Sequence, residues 1–562
     1  MLAMLIARFA PLLGAVLLPF ALQAPGAGAP QVTIINPPGG SAEQTADATS
    51  IASATLPVAY TEAQVATILG RAHAAYDGYR AVRSRLRAHD SREQAFAQRA
   101  TAFQHRLHAV ERLIADEKKK PTYGGQQAIG EALTWLDRGA LLVEYDLQRV
   151  RLRAAQEAVA PNRSFGVVLA PGGARQSPTG AIAWPPAGEV ALALAAGEAE
   201  SFQIVIIPFW EPLTGVKVAV SDLYHEEALD RIAASRIQTW LVETVITSQT
   251  VGREVLCADP LTPARPFDVP ATATQAVLID LRAHPHQAAG PYEGAITITA
   301  EGALEPIKLP LHVTVWDFSI AEAMPAVAFW AQNDYLQASF AGEQPTQFIR
   351  DWQAFLAPFG LRLYRPQTTT DSATGWSGWH TAAPMPGAGL TGRDPFALEM
   401  PTAIEYRRVG WARWAQEGIV PPAAGPQWLV RGWITIDAAG YRPGDPPAAP
   451  LVRQGRPAEG PVEPPGLVYL TRASQPQPTV SLLALRDGIE DYAYCRSLAR
   501  CLAKARQDGS AGWFTRRRWG KLLDLAPALT DLQRPVADGG ALLAERRAAI
   551  ARALEEAHAP ED

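Results

Sequence analysis

Cysteine is nearly absent from this chain, which has three among 562 residues. So few cysteines exclude a small fold held together by disulfides, and no spacing typical of a zinc site occurs. Cys495 and Cys501 are six positions apart on a predicted helix and point to different faces, so no disulfide between them is expected. We therefore predict that these two cysteines and Cys257 are free and buried.

An excess of positive charge is also absent, because 51 Lys and Arg face 56 Asp and Glu, for a formal charge of −5. Nucleic-acid-binding proteins usually show a basic excess, so that class of partner is excluded.

Long apolar runs are missing too. Beyond the N terminus no segment reaches about 18 apolar residues, so no membrane span is expected after removal of the N-terminal signal.

The residues that are abundant indicate a large folded protein. Hydrophobic residues make up 48% of the chain and charged residues 19%, which allows a large core and excludes global disorder. The 44 Gly and 47 Pro indicate many loops and argue against an all-helical protein. A chain of this length has room for about three or four domains. We predict a multidomain α+β fold.

The N terminus has the features of an export signal. In residues 1–29, Arg8 precedes an apolar run, and Ala27-Gly28-Ala29 matches a small-x-small cleavage site. An uncleaved N-terminal anchor is the alternative. Residues 30–57 are rich in Pro, Gly, Ser and Ala and predict a linker. The protein is therefore expected to be exported, to the periplasm or the extracellular space.

Residues 58–160 predict an N-terminal antiparallel helical bundle, because their apolar residues recur at helical spacing. Thr61 with Gln64, and Ser91 with Gln94, have the spacing of capping boxes that begin a helix. Such a bundle could bind a protein partner.

Residues 161–320 predict a β-sandwich, because short apolar segments alternate there with Gly/Pro turns. Eight strands are expected: Phe165–Leu169, Val190–Leu194, Ser201–Ile207, Val216–Val220, Thr239–Val245, Ala276–Leu281, Gly294–Thr299 and Leu309–Val315.

The remainder of the chain mixes strands and helices. Residues 321–485 predict a shortened or incomplete (β/α) barrel, since their length of about 165 residues falls short of the roughly 250 of a complete barrel. Residues 486–562 predict a C-terminal helical region.

Three groups of motifs carry a family resemblance. The first is Ala195-Ala196-Gly197-Glu198-Ala199-Glu200-Ser201-Phe202-Gln203, with Asp259-Pro260-Leu261, Gly290-Pro291-Tyr292-Glu293-Gly294 and Val315-Trp316-Asp317-Phe318. The second is Ala403-Ile404-Glu405-Tyr406-Arg407-Arg408, with Gly410-Trp411 and Trp414. The third is Ser481-Leu482-Leu483-Ala484-Leu485-Arg486-Asp487-Gly488-Ile489-Glu490-Asp491-Tyr492. In this order the first group resembles the β-sandwich of glycoside hydrolase family 123. The other two resemble the end of the barrel and the C-terminal helix in that family and its uncharacterised relatives.

The resemblance implies retaining hydrolysis of β-linked N-acetylhexosaminides, in which the acetamido group of the substrate attacks the anomeric carbon. An Asp orients that group, and the adjacent Glu acts as the general acid. The only Asp-Glu dipeptide in this chain is Asp116-Glu117, in the predicted bundle, whereas Glu490-Asp491 has the reverse order and belongs to the third motif. The catalytic pair of the family is therefore expected to be lost.

Tryptophan is the best candidate for sugar binding, because aromatic rings pack on sugar faces. Nine of the 15 Trp lie within residues 316–433. Trp376 and Trp379, in a Gly/Ser-rich loop, are the main candidates, and Trp411 and Trp414 are further ones, with core packing as the alternative for all four.

Two carboxylates are candidates for catalysis, should any remain. Asp334 follows a predicted first strand and Asp437 a late one, and a barrel places its chemistry at such strand ends. A solvated carboxylate is the alternative for each. His105, His108 and Glu111 share a helix face but have no fourth ligand, so no metal site is predicted, and no cofactor is expected.

These observations predict an exported carbohydrate-associated protein that binds a glycan or polysaccharide after losing its hydrolase chemistry. One alternative is an active glycoside hydrolase that uses Asp334 and Asp437. A second is an envelope scaffold that acts through the helical bundle. The short basic run Arg516–Arg518 is expected at an exposed helix end.

Overall fold

The computed structural model describes residues 61–86, 90–157, 163–176, 178, 186–250, 253–271, 273–331, 345–363, 403–417, 427–432, 434–435, 467–470, 475–525, 527–530 and 540–558. The predicted signal and linker therefore lie outside the described residues. In the described part of the chain, no helix combines the length and the apolar character needed to cross a bilayer.

The first structural unit consists of helices α1 (Glu62–Arg83), α2 (Ser91–Lys119) and α3 (Tyr123–Glu157). Successive helices run antiparallel. Tyr79 near the end of α1 meets Phe96 near the start of α2, and Arg99 early in α2 binds Asp146 late in α3. Apolar residues at helical spacing fill the space between the three helices. The predicted antiparallel helical bundle is thus present, with three helices.

The two helix starts differ in how they are capped. Thr61 and Gln64 form the predicted capping box of α1. The predicted box of Ser91 and Gln94 is wrong, because Asp90 is the N-cap of α2 and its carboxylate accepts a hydrogen bond from the Arg92 backbone N–H at 2.9 Å. An Asp caps as well as a Ser, so the sequence alone did not separate the two positions.

The second unit is built from strands. In chain order they are β1 (Phe165–Pro171), β2 (Val190–Ala196), β3 (Ala199–Pro208), β4 (Leu213–Val220), β5 (Leu223–Tyr224), β6 (Arg231–Ile232), β7 (Ile237–Thr250), β8 (Arg253–Pro263), β9 (Phe267–Val269), β10 (Gln275–Arg282), β11 (Gly290–Glu301) and β12 (Ile307–Ser319). One sheet has the order β1-β3-β10-β7-β8, and the other has the order β2-β12-β11-β4-β9, with β5 and β6 at its side. All eight predicted strands are present.

The first sheet is covered on both faces, which explains its continuous apolar sequences. In β3, Ile204 and Ile206 face the core between the two sheets, whereas Val205 and Ile207 face the helices and parallel strands that follow later in the chain. The sequence prediction missed β8, because its proline residues argue against a strand. An edge strand tolerates proline, and β8 is the last strand of its sheet.

The third unit contains β13 (Ala326–Ala331), α4 (Pro345–Leu356), β14 (Leu361–Leu363), α5 (Ala403–Glu417), β15 (Gln427–Gly432), β16 (Ile434–Thr435), β17 (Val468–Leu470) and β18 (Pro476–Gln477). Strands β14, β13 and β15 form a parallel sheet in that order. Strands β16, β17 and β18 form a small mixed sheet, in which β16 and β17 are parallel and β17 and β18 are antiparallel. The molecule is thus a multidomain α+β protein, and closure of the third unit into a barrel stays a prediction.

The C-terminal part consists of α6 (Val480–Asp508), α7 (Trp513–Leu523), α8 (Pro527–Thr530) and α9 (Ala541–His558). Every residue from Val480 to Arg496 is buried, so α6 is a central helix. The domain boundary expected at residue 485 falls inside it, because a helix buried on all sides lacks the amphipathic pattern that marks a helix start. Of its cysteines, Cys495 is free and buried, whereas Cys501 is free but partly exposed. The Cys257 side chain lies outside the described part.

Candidate functional site

The parallel sheet brings the ends of three strands to one edge. Strand β13 is the central strand, pairs in parallel with β14 and with β15, and has Val327, Ala328 and Phe329 fully buried. The chain passes from β13 to β14 on one side and later returns to β15 on the other side of β13. In α/β sheets such a reversal of strand order leaves a crevice outside the carboxyl ends of the two diverging strands.

Four of the predicted site residues lie outside the described residues: Asp334, Trp376, Trp379 and Asp437. Only their places in the sequence relative to the described strands can be given. Asp334 comes three residues after β13 ends at Ala331, and the two tryptophans belong to the segment that follows β14. Asp437 comes two residues after β16 ends at Thr435.

The structure corrects the expectation for the other two tryptophans. Trp411 and Trp414, both on α5, are 0% and 2% exposed. The Trp411 indole N–H donates to Asp491 at 2.8 Å, and the Trp414 indole N–H donates to the Leu523 carbonyl at 3.1 Å. Both rings pack the core with their N–H groups satisfied, so neither offers a face to a sugar.

The three groups of sequence motifs meet in one place, which we call the buried ionic network. Its members are Glu198 and Glu200 at the turn into β3, Asp280 of β10, Arg407 and Trp411 of α5, Arg486, Asp487, Glu490, Asp491 and Tyr494 of α6, and Arg547 of α9. It joins the first sheet of the sandwich to three helices.

Arg407 forms one half of the network. Its guanidinium binds Asp491 in a bidentate manner, with Nε–Oδ2 at 2.8 Å and Nη2–Oδ1 at 3.2 Å. Trp411 donates to the same Oδ2 atom. The paired fork geometry and the additional donor hold α5 against α6 and compensate a carboxylate that is fully buried.

Arg486 connects α6 to the sandwich. Its Nη1 donates to Asp280 at 2.8 Å, and its Nη2 donates to the neighbouring Asp487 at 3.0 Å. The Arg486 side chain is almost completely buried. A buried guanidinium needs such partners, because the desolvation cost of an unpaired charge amounts to several kcal/mol.

Arg547 of the last helix enters a group of carboxylates. Its guanidinium contacts Glu198, lies 3.0 Å from Glu200 and 3.4 Å from Asp491, and is 3.8 Å from Glu490. These acids come from the sandwich and from α6, so one cation holds α9 to both. Sequence reasoning missed Arg547, because on an amphipathic helix an arginine is usually solvated.

Glu198 is fixed from two further directions. Its Oε2 accepts a hydrogen bond from the Ala195 backbone N–H at 2.6 Å and from the Tyr494 hydroxyl at 2.6 Å. The Arg547 guanidinium also lies over the Tyr494 ring, 4.9 Å from its centroid. The first motif therefore contributes a turn whose acid organises the contact between β3, α6 and α9.

Burial changes the pKa values of these groups. Desolvation raises the pKa of Glu490 to about 8 and raises the pKa values of Glu200, Asp487 and Asp491 above their ordinary values. The same desolvation lowers the pKa of Arg547 to about 9. Because these carboxyls are buried and contact guanidinium groups, we assign the network a structural role rather than catalysis.

A second buried contact joins the first and third motifs. Asp259 of β8 accepts hydrogen bonds from the Ser481 backbone N–H at 3.0 Å and from the Ser481 hydroxyl at 2.9 Å. Arg175 lies 3.1 Å from the same carboxylate. Burial raises the pKa of Asp259. The dipole of α6 has the opposite effect, because it favours the ionised form of a carboxylate that lies at the first turn of the helix.

The pKa of Glu490 gives a testable pH dependence. The Glu490 carboxyl has a pKa of about 8 in the folded protein against an ordinary value of 4.5, so the folded protein binds its proton more tightly than the unfolded chain does. The stability that this difference contributes is complete below pH 4.5 and is lost as the pH rises through 8. In Glu490→Gln the amide mimics the protonated acid. We expect the melting temperature of the variant, measured by calorimetry between about pH 5 and pH 8, to fall less than that of the wild type.

The matched control is Glu555→Gln, which alters an exposed carboxylate on α9. It should keep the slope of the wild type. An unchanged slope in Glu490→Gln would contradict a protonated Glu490 in the folded protein.

No metal site emerges from the described residues, where no three His, Cys, Asp or Glu side chains are grouped to hold an ion. On the bundle face with His105, His108 and Glu111, the Glu111 carboxylate instead contacts the His73 ring at 2.7 Å.

Comparisons with known proteins give weak likenesses. No protein-family profile and no curated protein matches the chain. Among solved structures it is similar to a family 123 glycoside hydrolase from Clostridium perfringens, studied for glycolipid glycan hydrolysis, with 13% identity over 36% of this chain and 38% of that one and a TM-score of 0.31. It is also similar to the CooA pilin subunit from enterotoxigenic Escherichia coli, with 15% identity over 27% of this chain and 97% of that one and a TM-score of 0.15. Such low scores do not assign the chain to a family.

Proposed function

We propose that this chain is an exported, carbohydrate-associated protein that binds a glycan at the carboxyl edge of the parallel sheet and has lost hydrolase chemistry. The observation that carries the proposal is the strand order β14-β13-β15, since it leaves adjacent strand ends where α/β proteins bind ligands. The segment after β14 contributes Trp376 and Trp379, the residue type that suits sugar faces.

The placement of the acids supports the loss of chemistry. Asp116-Glu117, the one Asp-Glu pair in the sequence, lies near the end of α2 in the bundle. Glu117 accepts hydrogen bonds there from the backbone N–H and the hydroxyl of Thr122. The acids of the third motif belong to the buried ionic network, where they contact guanidinium groups.

Replacing both loop tryptophans tests the proposed site. On a glycan array, we expect Trp376→Ala/Trp379→Ala to bind the best ligand of the wild type about tenfold more weakly or not at all, because the ring faces are removed. Trp135→Ala is the matched control, since it removes a 38% exposed tryptophan from the bundle. It should bind like the wild type.

Equal loss in the double variant and the control, or binding that survives in the double variant, would contradict the site. Melting temperatures of all proteins should be compared, so that unfolding is not mistaken for loss of binding.

One observation favours the enzyme alternative. In the sequence, Asp334 follows the end of β13 and Asp437 follows the end of β16, and each of these strands pairs in parallel with a neighbour. Barrel enzymes hold their catalytic acids after the ends of parallel strands. This alternative predicts turnover of aryl β-N-acetylhexosaminides that Asp334→Asn or Asp437→Asn abolishes. The envelope scaffold stays a prediction.

A further inference from the structure

Helix α7 carries an exposed aromatic pair. Trp513 and Phe514, its first two residues, are 55% and 82% exposed. On the other side of the helix, Trp519 and Leu523 are buried in the main core. The helix is therefore anchored by one face, while its N-terminal end presents two large apolar side chains to solvent. An isolated exposed Leu is ordinary, but a contiguous aromatic pair marks an interaction surface.

The sequence around this pair is basic. Residues 500–524 contain seven Lys and Arg against two Asp, a surplus of five positive charges in a chain whose net charge is −5. Three of the arginines are engaged, because Arg500 donates to the Glu322 carbonyl, Arg516 donates to the Ala505 carbonyl, and Arg518 binds Glu556. Arg517 and Lys521 are exposed on the same helix. The Arg517 guanidinium lies 5.1 Å from the centroid of the Trp513 ring.

The geometry of the two rings distinguishes between kinds of partner. The ring centroids are 4.9 Å apart and the ring planes meet at 81°. Rings at right angles give no common flat platform for a sugar or a nucleobase. A protruding Phe514 has no polar group, so it gains by entering an apolar phase. Aromatic residues with flanking Lys and Arg are what interfacial membrane-binding segments present.

We propose that Trp513, Phe514, Arg517 and Lys521, together the aromatic-basic surface, dock the protein peripherally on an anionic lipid bilayer. The two rings enter the boundary between headgroups and acyl chains, and the two cations bind the lipid phosphates. Charge complementarity selects anionic lipid, since each exposed cation near such a surface strengthens binding about fivefold. This proposal is independent of the glycan site.

The test is co-flotation of the full chain with vesicles of phosphatidylglycerol and phosphatidylcholine, against vesicles of phosphatidylcholine alone. We expect binding to the anionic vesicles that weakens as salt is raised. Trp513→Ala/Phe514→Ala should bind the anionic vesicles about tenfold more weakly or not at all. Arg517→Gln/Lys521→Gln should lose more affinity for anionic than for neutral vesicles. Every variant keeps residues 1–29, so a contribution of that apolar segment is common to all.

The matched control is Leu304→Ala/Lys308→Gln, which removes a 77% exposed leucine and an exposed lysine from the sandwich. It should bind vesicles like the wild type. Equal binding to both kinds of vesicle, no vesicle binding, or equal loss in control and surface variants would overturn the proposal. Loss of glycan binding in Trp513→Ala/Phe514→Ala without any vesicle binding would also overturn it, in favour of a sugar site.

Discussion

Gly410→Ala is expected to destabilise the protein by at least about 3 kcal/mol, because α5 and α6 cross with their backbones in contact. A Cβ atom on Gly410 would collide with the carbonyl oxygen of Gly488 and lie 2.6 Å from its carbonyl carbon. Gly488 faces the backbone of Arg407 in the same manner. Backbone atoms cannot move aside as a flexible side chain does, so the helices must separate. Urea unfolding followed by tryptophan fluorescence measures the loss.

Gly520→Ala is the matched control, as a glycine inside helix α7. A Cβ atom there meets no described atom within 4 Å. Since alanine favours a helix over glycine, this variant should be neutral or more stable by roughly 0.5–1 kcal/mol. Equal stability of the two variants would mean that α5 and α6 do not touch at Gly410.

Arg547→Met should cost about 3–5 kcal/mol, since it leaves the buried acids around it without their shared cation. Glu198 and Asp491 are completely or almost completely buried and cannot turn to water. The cost should be smaller at about pH 5 than at pH 8, because protonated carboxyls need no counter-charge. Urea unfolding at both pH values measures this difference.

The control for Arg547→Met is Arg552→Met on the same helix, where the exposed Arg552 donates to the Ala548 carbonyl within α9. It should change the stability by less than about 0.5 kcal/mol. Adding Glu198→Gln to Arg547→Met should restore part of the loss, as it removes one of the charges. A loss that is the same at both pH values would show that α9 is held by apolar packing rather than by the network.

The parts of the fold that the sequence predicted are those with one buried face. In each bundle helix the apolar residues recur at helical spacing and form one face, while polar residues form the other. The strands of the sandwich are visible in the sequence as short apolar runs between turns. The prediction failed where burial is complete or where a rule has an exception. The start of α6 at Val480 has no polar face, and β8 contains prolines that only an edge strand accommodates.

The buried ionic network was predictable in residue type but not in arrangement. The motifs around Glu198, Arg407 and Asp491 were identified in the sequence, yet their contact depends on how the sandwich packs on α5 and α6. Arg547 had no local signal at all. Trp411 and Trp414 fit both a sugar-binding pattern and a core pattern, and their burial decides for the core.

We propose that the chain binds a glycan without cleaving it. Calorimetric titration of the full chain with the best array ligand, followed by mass spectrometry of the recovered ligand, tests both parts in one sample. We expect saturable heat, loss of that heat in Trp376→Ala/Trp379→Ala, and a ligand of unchanged mass. A shortened ligand would establish a hydrolase instead, and the absence of heat with every glycan would contradict carbohydrate binding itself.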